Sequence, residues 1–232
     1  MRRSTRSAAA LLAGALLLSG CATALNPLGG ADAPIRQSVD TSAFVPTASN
    51  PDPSKKIKGI TIQKYAGALH VGGDVRVAYT HTPPFGGRHD QVWAACNGVV
   101  YKTPVRSENM VHATEHGAVW IAYDPARIQG GDVAALAALV QDKPYMVMSP
   151  FPDMPSPISL QSWGHQLAVD SVTDPRIDQF IAALRVNPNT YPEPNASCDV
   201  PSSYFDQDSP PAYVPPPGTK EVDGKKIVKE TN

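Results

Sequence analysis

The amino-terminal stretch RRSTRSAAALLAGALLLSGC decides how much of this chain can fold and in which redox environment it does so. Arg2, Arg3 and Arg6 precede an apolar run from Ala8 to Leu18. That run is too short to cross a bilayer as a stable helix and has the layout of a signal-peptide core. Residues 1–20 are therefore set aside as a leader, and about 210 of the 232 residues remain to fold outside the cytoplasm. Their charges are mixed, and the whole chain carries a formal net charge of -1. A nucleic-acid binder needs a clustered basic face, which this composition does not supply.

The leader ends in Leu18, Ser19, Gly20 and Cys21, which resembles the lipobox of bacterial lipoproteins. There the cysteine takes a diacylglycerol and an amide-linked, palmitate-type chain, and more than one acyl chain gives stable anchoring. The expectation is a protein moored by Cys21 to the outer face of the cell membrane. Two cysteines are then left, Cys96 and Cys198, and in an oxidising space they most simply form one disulfide.

Two flanks have little to bury. Residues 21–56 read as a flexible linker and 199–232 as a proline-rich tail, extended or disordered, with polyproline character near Pro215 to Pro217. Between them, residues 57–198 suffice for a single globular domain. Alternation predicts strands through Ile60 and Ile62, Val75 to Tyr79, Val119 to Tyr123, Tyr145 to Ser149, Ile158 to Trp163 and Gln166 to Val169. Asp132 is placed to cap a helix carrying Val133, Leu136, Ala137 and Val140. Asp174 and Pro175 open a second helix whose Ile177, Phe180, Ile181 and Leu184 form a buried stripe. The predicted class is α+β: a small mixed or mainly antiparallel sheet with two helices packed on it.

The blocks HVGGDVRVAYTHTPPFGGRHDQVW, CNGVVYKTPV, VHATEHGAVWIAYDP, SPFPDMPSPISLQSWG and YPEPNASC occur in that order. Together they resemble the bacterial domain-of-unknown-function family numbered 3105, in its actinobacterial lipoprotein form. The resemblance implies a recurring set of positions, here His70, Pro83, Pro84, Gly87, His89, Gly98, Tyr101, His112, Glu115, His116, Gly117 and Trp163, and it brings no settled activity. The chain departs from the pattern near Gly86, where a small hydroxyl residue is expected, and at His165, where arginine is expected.

All six histidines fall between residues 70 and 165. His112 and His116 are four apart. On a strand they would stand about 13 Å apart, whereas one helical turn brings their Cβ atoms to about 5 to 6 Å. A shared ion thus requires VHATEH to be a helical turn, ended by Gly117. The tight loop PPFGGRH could aim His89 as a third ligand, with His70 and His81 as other candidates. Met146 and Met148 share a face of a strand, and Met148 joined to imidazoles would make a soft site that favours copper, with zinc as the alternative. Core packing is the competing role for both methionines. Glu115 is expected beside the ligands, accepting a ring N–H and fixing its tautomer.

Three functions follow as expectations. The first is a lipid-anchored protein binding a transition metal, copper with zinc as the alternative, through His89, His112, His116 and Met148, without catalytic residues. The second is a non-metal module docking onto an envelope membrane complex through Tyr204, Phe205 and Tyr213. The third is a zinc hydrolase, because residues 112–116 fit the H-x-x-E-H peptidase pattern. Gly117 and the strand-like AVWIAY after it argue against the long helix that such a pattern occupies, and Glu193 between Pro192 and Pro194 cannot sit within a helix. G-x-S-x-G, C-x-x-C and phosphate-cradling loops are absent from the sequence, so neither nucleophilic nor nucleotide chemistry is supported.

Overall fold

The computed structural model describes residues 33–215 and 225–231. The expected leader, Cys21 and the rest of 1–32, the stretch 216–224 with two prolines of the expected polyproline run, and residue 232 lie outside the described residues. In chain order the elements are β1 (Thr61–Ile62), β2 (His70–Val71), β3 (Val75–Ala78), β4 (His89–Asp90), β5 (Asn97–Val100), α1 (Ser107–Glu115), β6 (Val119–Tyr123), α2 (Gly131–Ala137), β7 (Met146–Pro150), β8 (Ile158–Ser162), β9 (His165–Val169), α3 (Arg176–Leu184) and β10 (Lys226–Lys229).

Six strands form one mixed sheet in the order β1-β9-β8-β6-β7-β5. Strands β5, β6 and β7 are parallel, which requires crossovers, and α1 and α2 provide them. Strands β8, β9 and β1 then add antiparallel to that unit. The β8–β9 hairpin closes through Trp163 and Gly164, and Gly164 has φ +69°. A Cβ there would lie 2.6 Å from the Gln63 carbonyl oxygen, so only glycine fits the turn.

Strand alternation divides the sheet into two faces. Val119, Ile121 and Tyr123 of β6, Met146 and Met148 of β7, Ile158 and Leu160 of β8, and Leu167 and Val169 of β9 face a core shared with α2 and α3. The predicted stripe of α3 is there, with Ile177, Phe180 and Leu184 fully buried. The Asp174 carboxylate opens that helix by accepting from the Arg176 N–H at 2.9 Å. Asp132 does not cap α2; Gly130 holds the N-cap position and Asp132 is an acidic residue of the first turn.

The opposite face carries Trp120, Ala122 and Val147, packed with Met110 and Ala113 of α1 and with the Cys96–Cys198 disulfide. The bridge spans 102 residues of sequence and ties the start of β5 to the loop after α3. Helix α1 is thus a third helix, on the face away from the two predicted ones. Two short parallel ladders, β2 with β4 and β3 with β10, complete the architecture.

The flanks are more ordered than their composition suggests. Pro53 and Ser54 are buried in a 3-10 turn, Phe44 packs against the main core, and Arg36 pairs with Asp178 of α3. In the tail, Phe205 is buried in the second core, Ala212 bridges to Val105, and β10 lies along β3. Glu230, just after β10, is buried, and its carboxylate accepts from the Tyr65 hydroxyl at 3.2 Å and the Thr80 N–H at 3.3 Å.

Candidate metal centre

Helix α1 reads Ser-Glu-Asn-Met-Val-His-Ala-Thr-Glu, and all nine residues are buried. A helix this polar and this enclosed must find partners for its side chains or hold a ligand. Several partners are internal: Glu108 accepts from the Val77 N–H at 2.9 Å and faces Arg106, and the Asn109 amide donates to the Val92 carbonyl at 2.7 Å. His112, Glu115 and His116, at the carboxyl end, face elsewhere. Gly117 ends the helix with φ +94°, as the turn required.

Three segments deliver the histidines and Glu115. The β2–β4 ladder places His70 directly opposite His89. The loop before His89 is held rigidly: a Cβ on Gly86 would come within 2.2 Å of the Tyr65 ring, and Gly87, at φ +86°, lies against Glu230. Tyr65 therefore occupies the space where a hydroxyl residue at 86 was expected. Helix α1 supplies His112 and Glu115 from one side, and His116 from the next turn.

Backbone carbonyls fix the ring orientations. Nδ1 of His89 lies 2.8 Å from the Gly87 oxygen, Nδ1 of His112 lies 2.6 Å from the Asp90 oxygen, and Nδ1 of His116 lies 2.7 Å from the Ser197 oxygen. A carbonyl only accepts, so each Nδ1 carries the hydrogen and donates it, and in the neutral ring Nε2 is left as a lone pair. Burial first, then the neighbouring rings of His89 and His116, push the His112 pKa down to about 3, so this ring is neutral at neutral pH. Burial also lowers that of His116, against the pull of the Ser197 carbonyl and Glu193.

The free nitrogens converge on Glu115. Ligand atoms of His70, His89, His112 and Glu115 all lie within 4.8 Å of one another. The Glu115 Oε2 atom is 2.8 Å from His89 Nε2 and 3.5 Å from His70 Nε2, while Oε1 accepts from the Ala68 N–H at 2.7 Å. Burial opposes ionisation of Glu115, but His89 and the Ala68 N–H outweigh it and hold the carboxyl below its ordinary range. His89 Nε2 and Glu115 Oε2 are both buried without a hydrogen-bond partner, despite their closeness. A carboxylate oxygen and an imidazole lone pair in contact repel unless a cation or proton lies between them. Tetrahedral ligands about 2.1 Å from an ion stand about 3.4 Å apart, and the 2.8 and 3.5 Å pairs bracket that spacing.

A second set, His112, His116 and Glu193, meets the same spacing and shares His112 with the first. His116 Nε2 lies 3.3 Å from Glu193 Oε2. Aromatic walls enclose both sets. The Trp93 ring is 4.7 Å from His116 and 5.5 Å from His112, and Trp163 meets His89 edge-on at 5.6 Å. Solvent reaches the first set at His70, whose side chain is 37% exposed, and the second at Glu193, 35% exposed.

Several expectations are corrected by this geometry. His89, His112 and His116 do not form one trio: His112 belongs to both sets, and His89 and His116 to one each. Met148 and Met146 lie in the main core, where Met148 pairs with Ile121, on the sheet face away from α1; their alternation points them at α2 and α3. Glu115 stands beside the histidines as expected, its Oε2 within hydrogen-bond distance of His89 Nε2. His81 sits outside both sets, against Phe85 at 4.6 Å and beside the Thr80 hydroxyl. His165 is also elsewhere, with Nδ1 on the Trp163 carbonyl at 2.6 Å and Nε2 3.8 Å from Asp52. Glu193, set aside for lack of a helix, reaches His116 from a loop. Of the proposed docking aromatics, Phe205 is buried, Tyr213 packs on Phe151 and Tyr204 is 72% exposed.

A mixed sheet flanked on both faces, with a buried histidine and glutamate cluster at the end of its polar helix, defines the class of domain. The chain belongs to the family described as protein of unknown function (DUF3105), whose model matches residues 70–200. That span begins at His70 and takes in every residue of both ligand sets and both cysteines of the disulfide. No curated protein and no solved structure matches the chain.

Proposed function

We propose that this protein is a lipid-anchored, extracytoplasmic metal-binding protein whose His70, His89, His112 and Glu115 cage holds one divalent transition-metal ion for storage or delivery, without catalysis. The observation that carries the reading is the meeting of His89 Nε2 and Glu115 Oε2, buried, 2.8 Å apart and unpartnered, with two more histidines around them. Three imidazoles and a carboxylate suit Cu²⁺ or Zn²⁺, and Cu²⁺ binds such donors more tightly. Without Met148 the set has no soft sulfur, so copper enters this reading as Cu²⁺. Cys21 as a lipid anchor and the outer membrane face as the location rest on the sequence of the leader, and the Cys96–Cys198 bridge supports an oxidising compartment.

The test is metal content of the full chain, exported, stripped with chelator, reloaded with Cu²⁺ or Zn²⁺ and dialysed. One equivalent in wild type and loss of it in the His89→Ala and Glu115→Ala variants is expected. Retention of no metal by folded wild type would refute the reading.

Docking onto an envelope partner is favoured by a separate feature. An apolar groove of about 520 Å³, lined by Val92, Trp93, Val200, Pro201 and Tyr204, opens beside the cage. Co-purification of one defined membrane complex with a metal-free protein, lost in a Tyr204→Ala variant, would favour that second reading.

A further inference from the structure

We infer that the two ligand sets are alternative seats for a single ion, which passes between them by ligand exchange with His112 as the shared, retained ligand. The inference rests on the metal-binding reading above and adds a route to it. His112 has one lone pair to offer, because its Nδ1–H is committed to the Asp90 carbonyl at 2.6 Å. One nitrogen lone pair holds one ion, so the cage of His70, His89 and Glu115 and the outer pair of His116 and Glu193 cannot both be filled through it.

The outer seat has the marks of a landing place. Glu193 is on the Pro192–Glu193–Pro194 loop, 35% exposed, whereas His116 behind it is buried and oriented by the Ser197 carbonyl. The adjoining Cys96–Cys198 bridge ties this loop to the sheet edge. In the exchange, bonds from the ion to Glu193 Oε2 and His116 Nε2 break as bonds to Glu115 Oε2, His89 Nε2 and His70 Nε2 form. No electron moves, and a proton held between His89 Nε2 and Glu115 Oε2 leaves to solvent as the ion enters. His112 and His116, with rings 4.6 Å apart on consecutive turns, make the step short enough to proceed without releasing the ion to water. The cage has its own opening at His70, so the two exposed ligands give the path two ends.

The experiment uses the full folded chain with Cu²⁺ alone, following quenching of tryptophan fluorescence by stopped flow, then release to excess chelator. Wild type should bind one equivalent. In Glu193→Gln and His116→Ala, loading should slow about tenfold, while His89→Ala should speed release. Glu193→Gln, on the exposed loop, guards against misfolding of His116→Ala. Two equivalents bound to wild type, or loading within twofold of wild type in both outer-seat variants, would overturn the relay while leaving the cage standing. Wild type that binds no ion would overturn the metal reading and the relay with it.

Discussion

Replacing Glu115 by glutamine separates a metal cage from a structural ion pair, because the two predict opposite signs for stability. Oε1 of Glu115 accepts from the Ala68 N–H at 2.7 Å, and glutamine keeps that acceptor. The other atom, 2.8 Å from His89 Nε2, changes from an anionic oxygen to an amide NH₂ that can donate to the bare nitrogen. If the site awaits a cation, the metal-free variant satisfies two atoms that are unpartnered in the native protein. Relief of buried unsatisfied groups is worth about 1–3 kcal/mol, so Glu115→Gln should be the more stable apoprotein. For a domain of this size the melting temperature should rise by a few degrees, at about 2–4 °C per kcal/mol. Metal affinity should fall by at least about 100-fold, or about 2.7 kcal/mol, as an anionic ligand becomes a neutral one. If His89 is instead an imidazolium paired with Glu115, removing the charge leaves a buried cation uncompensated and costs about 3–5 kcal/mol. Scanning calorimetry of chelator-treated protein and titration calorimetry with Zn²⁺ read the two quantities. A lower melting temperature together with affinity within threefold of wild type would refute the cage.

The remaining predictions concern acid and the core. Metal-free protein should lose stability as the pH falls below 6.5, because the folded His112 pKa of about 3 lies below the unfolded value. There the unfolded chain takes up a proton that the folded one refuses, at up to about 1.4 kcal/mol per pH unit for this ring, with His116 and later Glu115 acting in the same direction. Urea melts between pH 7 and 4 check this, and a midpoint that does not move would count against buried neutral histidines. Met148→Ala should cost about 2–5 kcal/mol as a core cavity yet leave one metal equivalent bound, and loss of the metal from the folded variant would restore Met148 as a ligand.

What the sequence disclosed depended on how far each signal reaches along the chain. The stripe Ile177, Phe180, Ile181 and Leu184 announced α3, and alternation announced β6 to β9, because one face of each is apolar in a regular period. Helix α1 carries no such stripe. It is enclosed on all sides and its polar residues are matched by loops far away in sequence, so only the spacing of His112 and His116 hinted at it. Strands of two residues, β2 and β4, are too short for any period, yet they set His70 against His89. Met146 and Met148 were correctly given a common face, but which face lay toward the histidines depended on a helix not yet placed.

The ligand rings are clamped by main-chain oxygens of Gly87, Asp90 and Ser197, and this changes what the site depends on. Where a side chain orients a ligand histidine, replacing that one side chain frees the ring. Here the orientation is held by the path of three loops, so it depends on what fixes those loops. Gly87 can follow its path because it tolerates φ +86° and lets Glu230 close against it; the Asp90 loop is pinned by Arg106 pairing with Asp90; and the Ser197 loop is pinned by the disulfide. Residues far apart in sequence, Tyr65 and Glu230 among them, thereby bear on the histidine cluster without belonging to it. Glu230, near the end of the tail, is part of the cluster's framework for that reason, although residues 199–232 read as an extended or disordered proline-rich tail.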